Sequence, residues 1–181
     1  MSRALGFCVF DTAIGPCGIA WTHDALAAVQ LPEATPEGTR KRLLRFTGDA
    51  AECDPPAFVH AAITRVQALL AGARDDLADL PLDMEGVPPF HQRVYAIARA
   101  IPPGEVLTYG DVAKRLGEPG AARAVGQALG HNPVAPVVPC HRVLAAGGRS
   151  GGFSAEGGAL TKLKMLEIEG ARLGGEPGLF D

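Results

Sequence analysis

The sequence predicts an α+β fold: a small antiparallel N-terminal sheet with helices, then a mainly helical part with a helix-turn-helix and a short active-site strand. Three observations lead there. Short, partly alternating runs crowd the stretch from Leu5 to Leu31, which is the pattern of half-buried strands. Farther on, apolar residues recur at three- and four-residue spacing, as in Val59, Ile63, Val66 and Leu70, and that period is helical. An acidic, proline-containing stretch at about 75–89 then interrupts all periodicity, as linkers do. We therefore expect an N-terminal α/β unit over 1–85, this stretch as its linker, and a C-terminal unit over 86–181. The 181 residues, 47% of them hydrophobic, suffice for one large or two small cores.

In chain order, Leu5 to Thr12 reads as a strand and Gly15-Pro16-Cys17-Gly18 as a turn, because glycine and proline punctuate chains in this way. Gly18 to Thr22 and Ala25 to Leu31 give two further strands across His23-Asp24. Thr35 can cap a helix with Pro36 at its first position, opening a basic helix through about Phe46. Pro55-Pro56 opens the next, whose apolar face is the one named above.

In the C-terminal part, Phe90, Val94, Ile97 and Ile101 line one face of a helix that Pro102-Pro103-Gly104 ends. Thr108-Tyr109-Gly110-Asp111 is a capped helix start: the threonine can accept from the third-residue amide, and Asp111 sits where the helix dipole favours an anion. That helix runs to Leu116, Gly117-Glu118-Pro119-Gly120 breaks it, and Ala121 to Leu129 resumes it, the spacing of a helix-turn-helix. At about 3.6 residues per turn, Ala121, Val125, Ala128 and Leu129 share one arc, while Arg123 and Gln127 project from the other side. The small residues Ala121, Ala122, Ala124 and Gly126 would let this backbone approach another surface closely. An ordinary helical hairpin with a solvated Arg123 fits the same pattern. Gly130-His131-Asn132-Pro133 ends the helix, with His131 read as a capping or solvated residue. The glycine-rich loop from Ala145 to Ser154 lacks a nucleotide-cradle pattern. A last helix, Ala159 to Glu169, is closed by Gly170, with Leu160, Leu163 and Leu166 on its buried side.

Charge narrows the partners. The formal net charge of −3 argues against a general polyanion binder. Residues 1–85 carry 7 basic and 12 acidic side chains, whereas residues 86–181 carry 10 and 8, so any phosphate contact belongs to the second part. No apolar run approaches the roughly 20 residues of a membrane span, and the N-terminus lacks a signal-peptide core. We expect a cytoplasmic protein with no membrane association. Cys8, Cys17, Cys53 and Cys140 are widely spaced and form no C-x-x-C pair, which suits free thiols in a reducing compartment. Cys8, Cys17 and His23 match no common zinc spacing, and metal binding by Cys8 and Cys17 is left open.

The chemistry concentrates in Pro136-Val137-Val138-Pro139-Cys140-His141-Arg142-Val143. The apolar run is too short for a helix, and each proline favours extended backbone before it. Cys140 is therefore expected at the end of a small buried strand, with His141 pointing to the opposite face. A rigid apolar backbone suits a sulfur that must meet an electrophile in fixed geometry. Read alone, Cys140 is either a nucleophile or a packed small hydrophobe.

Together, Tyr109-Gly110, Ala121-Ala122-Arg123-Ala124-Val125-Gly126, Asn132-Pro133 and Pro139-Cys140-His141-Arg142-Val143, in that order and spacing, resemble the O6-alkylguanine-DNA alkyltransferases over about Phe90 to Gly170. The resemblance implies direct, single-turnover repair: the alkyl group of O6-alkylguanine in double-stranded DNA, or of O4-alkylthymine, passes irreversibly to Cys140. It implies a monomer that needs no cofactor and no metal. The recognition helix would enter the minor groove, with Thr108, Ala121, Ala122, Gly126 and Gln127 at the DNA and Arg123 filling the place of the extruded nucleotide. Cys140 would be activated through a water by His141, itself oriented by Glu169. Tyr109 would donate toward the leaving guanine, and Asn132 would brace the turn before the active-site segment. Val138, Pro139, Val143, Phe153 and Ser154 would line the pocket.

Two departures from the family pattern stand out. Phe153 occupies a position where the family usually has tyrosine, and Ala155-Glu156 intervene between Ser154 and Gly157. We expect a reshaped pocket lip and an altered rate or substrate range. A helix-turn-helix lesion sensor or transcriptional regulator would tolerate loss of Cys140, and a Cys-His hydrolase would turn over repeatedly.

Overall fold

The computed structural model describes residues 4–146 and 158–171. Strands β1 (Gly6–Thr12) and β2 (Gly15–Trp21) form a hairpin in which Gly6 faces Trp21 and Thr12 faces Gly15. The turn between them is Ala13-Ile14, not the expected Gly15 to Gly18. The Thr12 hydroxyl closes it, donating to the Gly15 carbonyl at 2.7 Å and accepting from Ile14 N at 3.3 Å. Gly15 takes φ +123, a conformation that costs glycine little. Strand β3 (Leu26–Gln30) is antiparallel to β2.

A fourth strand was not expected. β4 (Ala51–Glu52) pairs parallel to β1, giving the order β3-β2-β1-β4, so the sheet is mixed rather than antiparallel. Two residues carry no periodicity, which is why this edge leaves no trace in the sequence pattern.

Helix α1 (Pro36–Thr47) starts as its residues dictate: Thr35 accepts from Gly38 N at 3.0 Å. It covers one sheet face, where Leu43 packs with Phe7, Ala20 and Ala28. Gly18 makes this approach possible, since a Cβ there would lie 2.9 Å from Leu43 Cδ2. Helix α2 (Ala57–Leu70) buries Val59, Ile63, Val66 and Leu70, the face its periodicity predicts. They join the main core with Ile19, Trp21 and Val29.

The stretch 75–89 is largely exposed but is anchored at several points. Arg65 grips Asp75 and Asp79, each at 2.7 Å, and Arg99 Nη2 donates to the carbonyls of Leu77, Ala78 and Leu80 at 2.9–3.1 Å. Leu77 and Leu80 are buried beneath these bonds. The carbonyl of Pro81 accepts from Leu26 N at 2.8 Å, which ties the segment to β3. Two of its carboxylates, Asp75 and Asp79, are thus paired with Arg65.

Helix α3 (Pro89–Arg99) buries Val94, Tyr95 and Ala98, a face turned slightly from the expected one: Phe90 and Ile97 are half-buried. The exchange has a polar cause, because the buried Tyr95 hydroxyl donates to Ala128 O at 2.6 Å. A parallel pair follows, β5 (Leu107–Thr108) with β6 (Val143–Leu144). Helices α4 (Tyr109–Arg115) and α5 (Ala122–Gly130) form the expected helix-turn-helix pair, and α6 (Gly158–Glu169) ends the described chain apart from two residues. Among the described residues no helix is long and apolar enough to cross a membrane.

The buried side of α6 differs from the expectation. Leu160 is 75% exposed, while Lys162, Met165, Leu166 and Glu169 face inward. Lys162 and Glu169 can lie there because both polar heads find buried partners, described next.

Candidate active site

Asn132 organises the approach to Cys140. Its side chain accepts from Val134 N at 3.0 Å and donates to Val138 O at 2.8 Å, spanning the turn that carries Ala135 to Val138. Val137 and Val138 are fully buried, as the proline-flanked apolar run requires, but they do not form a strand. Cys140–Arg142 is a single 3₁₀ turn that precedes β6. The physical reason is local: Pro136 and Pro139 offer no N–H to a ladder, and Cys140 N and Arg142 N turn back to Val138 O and Pro139 O, each at 2.9 Å.

This turn sends three consecutive side chains inward. Cys140 is 4% exposed, His141 0% and Arg142 1%. His141 Nε2 lies 2.7 Å from Glu169 Oε1 at the end of α6. Arg142 reaches the same carboxylate with Nε at 3.0 Å from Oε2 and Nη2 at 2.8 Å from Oε1, and its Nη1 donates to Ile101 O at 2.7 Å.

The protonation states follow from these partners. Burial pushes His141 down from its ordinary value, against the pull of Glu169, so the ring is neutral near pH 7. A carboxylate can only accept, so the single ring proton sits on Nε2 and donates to Glu169. Nδ1 is left as the basic nitrogen, and it has no partner among the described residues. For Glu169, burial alone would raise the pKa, but the bonds from His141 and Arg142 outweigh it and hold the carboxyl at about 2. With His141 neutral, Arg142 is the charge that keeps Glu169 ionised.

The thiol is in a different position. Burial pushes Cys140 up, opposed by the Asn132 side chain, the Lys162 charge and the backbone amides of Cys140 and His141. The neutral thiol is therefore the resting form, and a base must take its proton at the moment of reaction.

Lys162 and Tyr109 complete the interior. Lys162 Nζ donates to Val143 O at 2.7 Å and sits 5.7 Å from the centroid of the Tyr109 ring. Burial lowers its pKa to about 8. Burial likewise raises that of Tyr109, which stays a phenol, able to donate. Sequence reasoning missed both Lys162 and Arg142. For Arg142 the signal was present, since it stands two residues from Cys140, but nothing in the pattern says that a charged side chain turns inward.

Thr108 and Asp111 form a full capping box, with Asp111 N to Thr108 Oγ1 at 3.0 Å and Thr108 N to Asp111 Oδ2 at 2.9 Å. On α5, Arg123 and Gln127 are exposed and Ala121, Ala122 and Ala124 half-buried. Gly126 is half-buried as well and lies close to Tyr109, where a Cβ would be in ordinary van der Waals contact at 3.7 Å from that ring. Phe153 and Ser154, with Ala155-Glu156, lie outside the described residues. Among those described, no group of three or more His, Cys, Asp or Glu is placed to hold a metal.

Residues 89–171 match the family model described as the DNA binding domain of 6-O-methylguanine DNA methyltransferase. The methylated-DNA–protein-cysteine methyltransferase of Mycobacterium tuberculosis is 39% identical over 171 residues, 94% of this chain and 96% of its own. The crystal structure of Mycobacterium tuberculosis OGT in complex with DNA superposes with a TM-score of 0.74 at 36% identity, covering 97% of this chain and 99% of that one. The O6-methylguanine-DNA methyltransferase of the archaeon Pyrococcus kodakaraensis gives 0.70 at 30% identity, covering 91% and 99%. Similar to these proteins in sequence and fold along almost its whole length, the chain belongs to the methylated-DNA–protein-cysteine methyltransferase family.

Proposed function

We propose that this protein repairs double-stranded DNA by moving the alkyl group of O6-alkylguanine onto Cys140, once per molecule. The observation that carries the reading is the order Cys140, His141, Glu169: a buried neutral thiol beside an imidazole whose Nε2 is fixed by a carboxylate and whose basic Nδ1 is free of described partners. Nδ1 takes the thiol proton through a bridging water, and Glu169 stabilises the imidazolium that forms. The sulfur then displaces guanine from the alkyl carbon, so an S–C bond forms as the C–O6 bond breaks. Tyr109 donates toward the departing ring, and the Lys162 charge favours the thiolate. The thioether is stable, and among the described residues no group is placed to remove it, which fits one turnover per molecule.

DNA reaches this site through α5. Residues 86–181 act as the DNA-binding and acceptor unit, with the exposed face of Arg123 and Gln127 in the minor groove and Thr108, Ala121 and Ala122 beside it. Arg123 occupies the stack from which the damaged nucleotide has turned out. Unstacking costs a few kcal/mol, and the planar guanidinium offsets part of it. The protein works as a monomer in the cytoplasm. A titration tests the reading: duplex carrying one O6-methylguanine should be repaired in a 1:1 ratio to protein however long the incubation. Repair beyond one equivalent would overturn the single-turnover mechanism.

A further inference from the structure

Glu169 stands at a place where a carboxylate is disfavoured. It is the last residue of α6, whose final turn has no basic side chain of its own, and the unpaired carbonyls there carry negative partial charge. Arg142 answers this charge from inside. A second arginine approaches from outside. Arg74, which follows α2 in the N-terminal half, donates from Nη1 to Pro103 O at 3.0 Å.

The turn between these groups is tight. A Cβ built on Gly104 would lie 2.9 Å from Arg74 Nη1 and 3.3 Å from the backbone carbonyl oxygen of Glu169, so the guanidinium and the end of α6 border the same small space beside Gly104. Gly104 has φ +90, and a side chain there would be both strained and crowded. The same turn is held from inside by Arg142 Nη1 on Ile101 O at 2.7 Å. Two arginines thus clamp residues 101–104, and one of them also carries Glu169.

We infer that Arg74, acting across Gly104, is a positioning residue that holds the end of α6 and so keeps Glu169 in register with His141. The inference rests on the alkyl-transfer reading and gives the N-terminal half a part in it. Arg74 is exposed, and its hydrogen bond goes to the turn at Pro103 rather than to Cys140 or α5. Its loss should loosen the 2.7 Å bond between His141 and Glu169 without altering how DNA or a free base binds.

Single-turnover kinetics over a range of substrate concentrations test this with Arg74→Ala and Arg74→Lys in the full chain. For Arg74→Ala, the limiting rate constant should fall about 3- to 10-fold, the scale of one hydrogen bond, with O6-benzylguanine and with alkylated duplex alike. The half-saturating concentration should stay within about twofold. Arg74→Lys, which keeps a cation and a donor, should recover most of the rate. A rate constant unchanged in Arg74→Ala, a loss confined to half-saturation or to melting temperature, or a lysine variant as slow as alanine would overturn the inference. Wild-type protein that transfers no alkyl group would instead sink the underlying reading.

Discussion

Replacing Glu169 by glutamine removes a charge but little volume, and the structure sets the size of two effects. Arg142, 1% exposed on its side chain, loses the carboxylate that compensates it. An uncompensated buried charge costs about 3–5 kcal/mol. The depressed pKa of Glu169 points the same way: its buried partners hold it at about 2, below an ordinary 4.5, a difference worth about 3 kcal/mol. Because the folded value is the lower one, this stability is complete above about pH 4.5 and is lost as pH falls toward 2. Urea titrations should show a lowered midpoint for Glu169→Gln at pH 7 and a shallower decline in acid. The second effect is on rate. The imidazolium formed when His141 takes the Cys140 proton loses a charged partner at 2.7 Å, worth about 1.5–3 kcal/mol, so transfer should slow about 10- to 150-fold. Wild-type stability together with a rate within about twofold of wild type would refute the assignment of Glu169 as the ionised partner of both His141 and Arg142.

Lys162→Met removes the cation near Cys140 and should slow transfer about tenfold, measured at pH 7. Burial holds Lys162 at about 8, below its ordinary 10.5, so the unfolded chain binds this proton more tightly. Wild type should then gain stability as pH rises from about 8 to 10.5, and Lys162→Met should not; parallel pH profiles or an unchanged rate would contradict this. Arg123→Ala should cost about tenfold or more with alkylated duplex but little with free O6-benzylguanine, which needs no extrusion. Equal losses on the two substrates would remove Arg123 from base extrusion.

Local rules made much of this molecule legible. Thr35 and Thr108 are caps in the sequence and caps in the structure, because capping depends on residues only three apart. The outward face of Arg123 and Gln127 follows from helical projection alone. Long-range pairing was less visible. β4 is two residues long and is defined by its partner β1 rather than by its own pattern. The stretch 75–89 reads as a tether, and its pattern gives no sign of the bonds that Arg65 and Arg99 make to it. On α6, hydrophobic period points to Leu160, yet Lys162 and Glu169 turn inward instead, since a buried carbonyl at Val143 awaits the one and the Arg142 guanidinium with the His141 ring N–H awaits the other. The cysteine's surroundings were expected as strand and are a 3₁₀ turn, a consequence of prolines that cannot join a ladder. Sequence periodicity records which side chains are apolar, and it is silent on polar groups whose partners lie far along the chain.

The central claim is that Cys140 itself becomes the alkyl carrier. Incubating the protein with duplex DNA containing O6-methylguanine, then measuring intact and peptide masses, tests it most directly. The account predicts a gain of one methylene mass per protein, confined to the peptide containing Cys140 and absent from Cys140→Ser. An unmodified Cys140 after the lesion has been repaired, or a methyl group on Cys8, Cys17 or Cys53 instead, would contradict it.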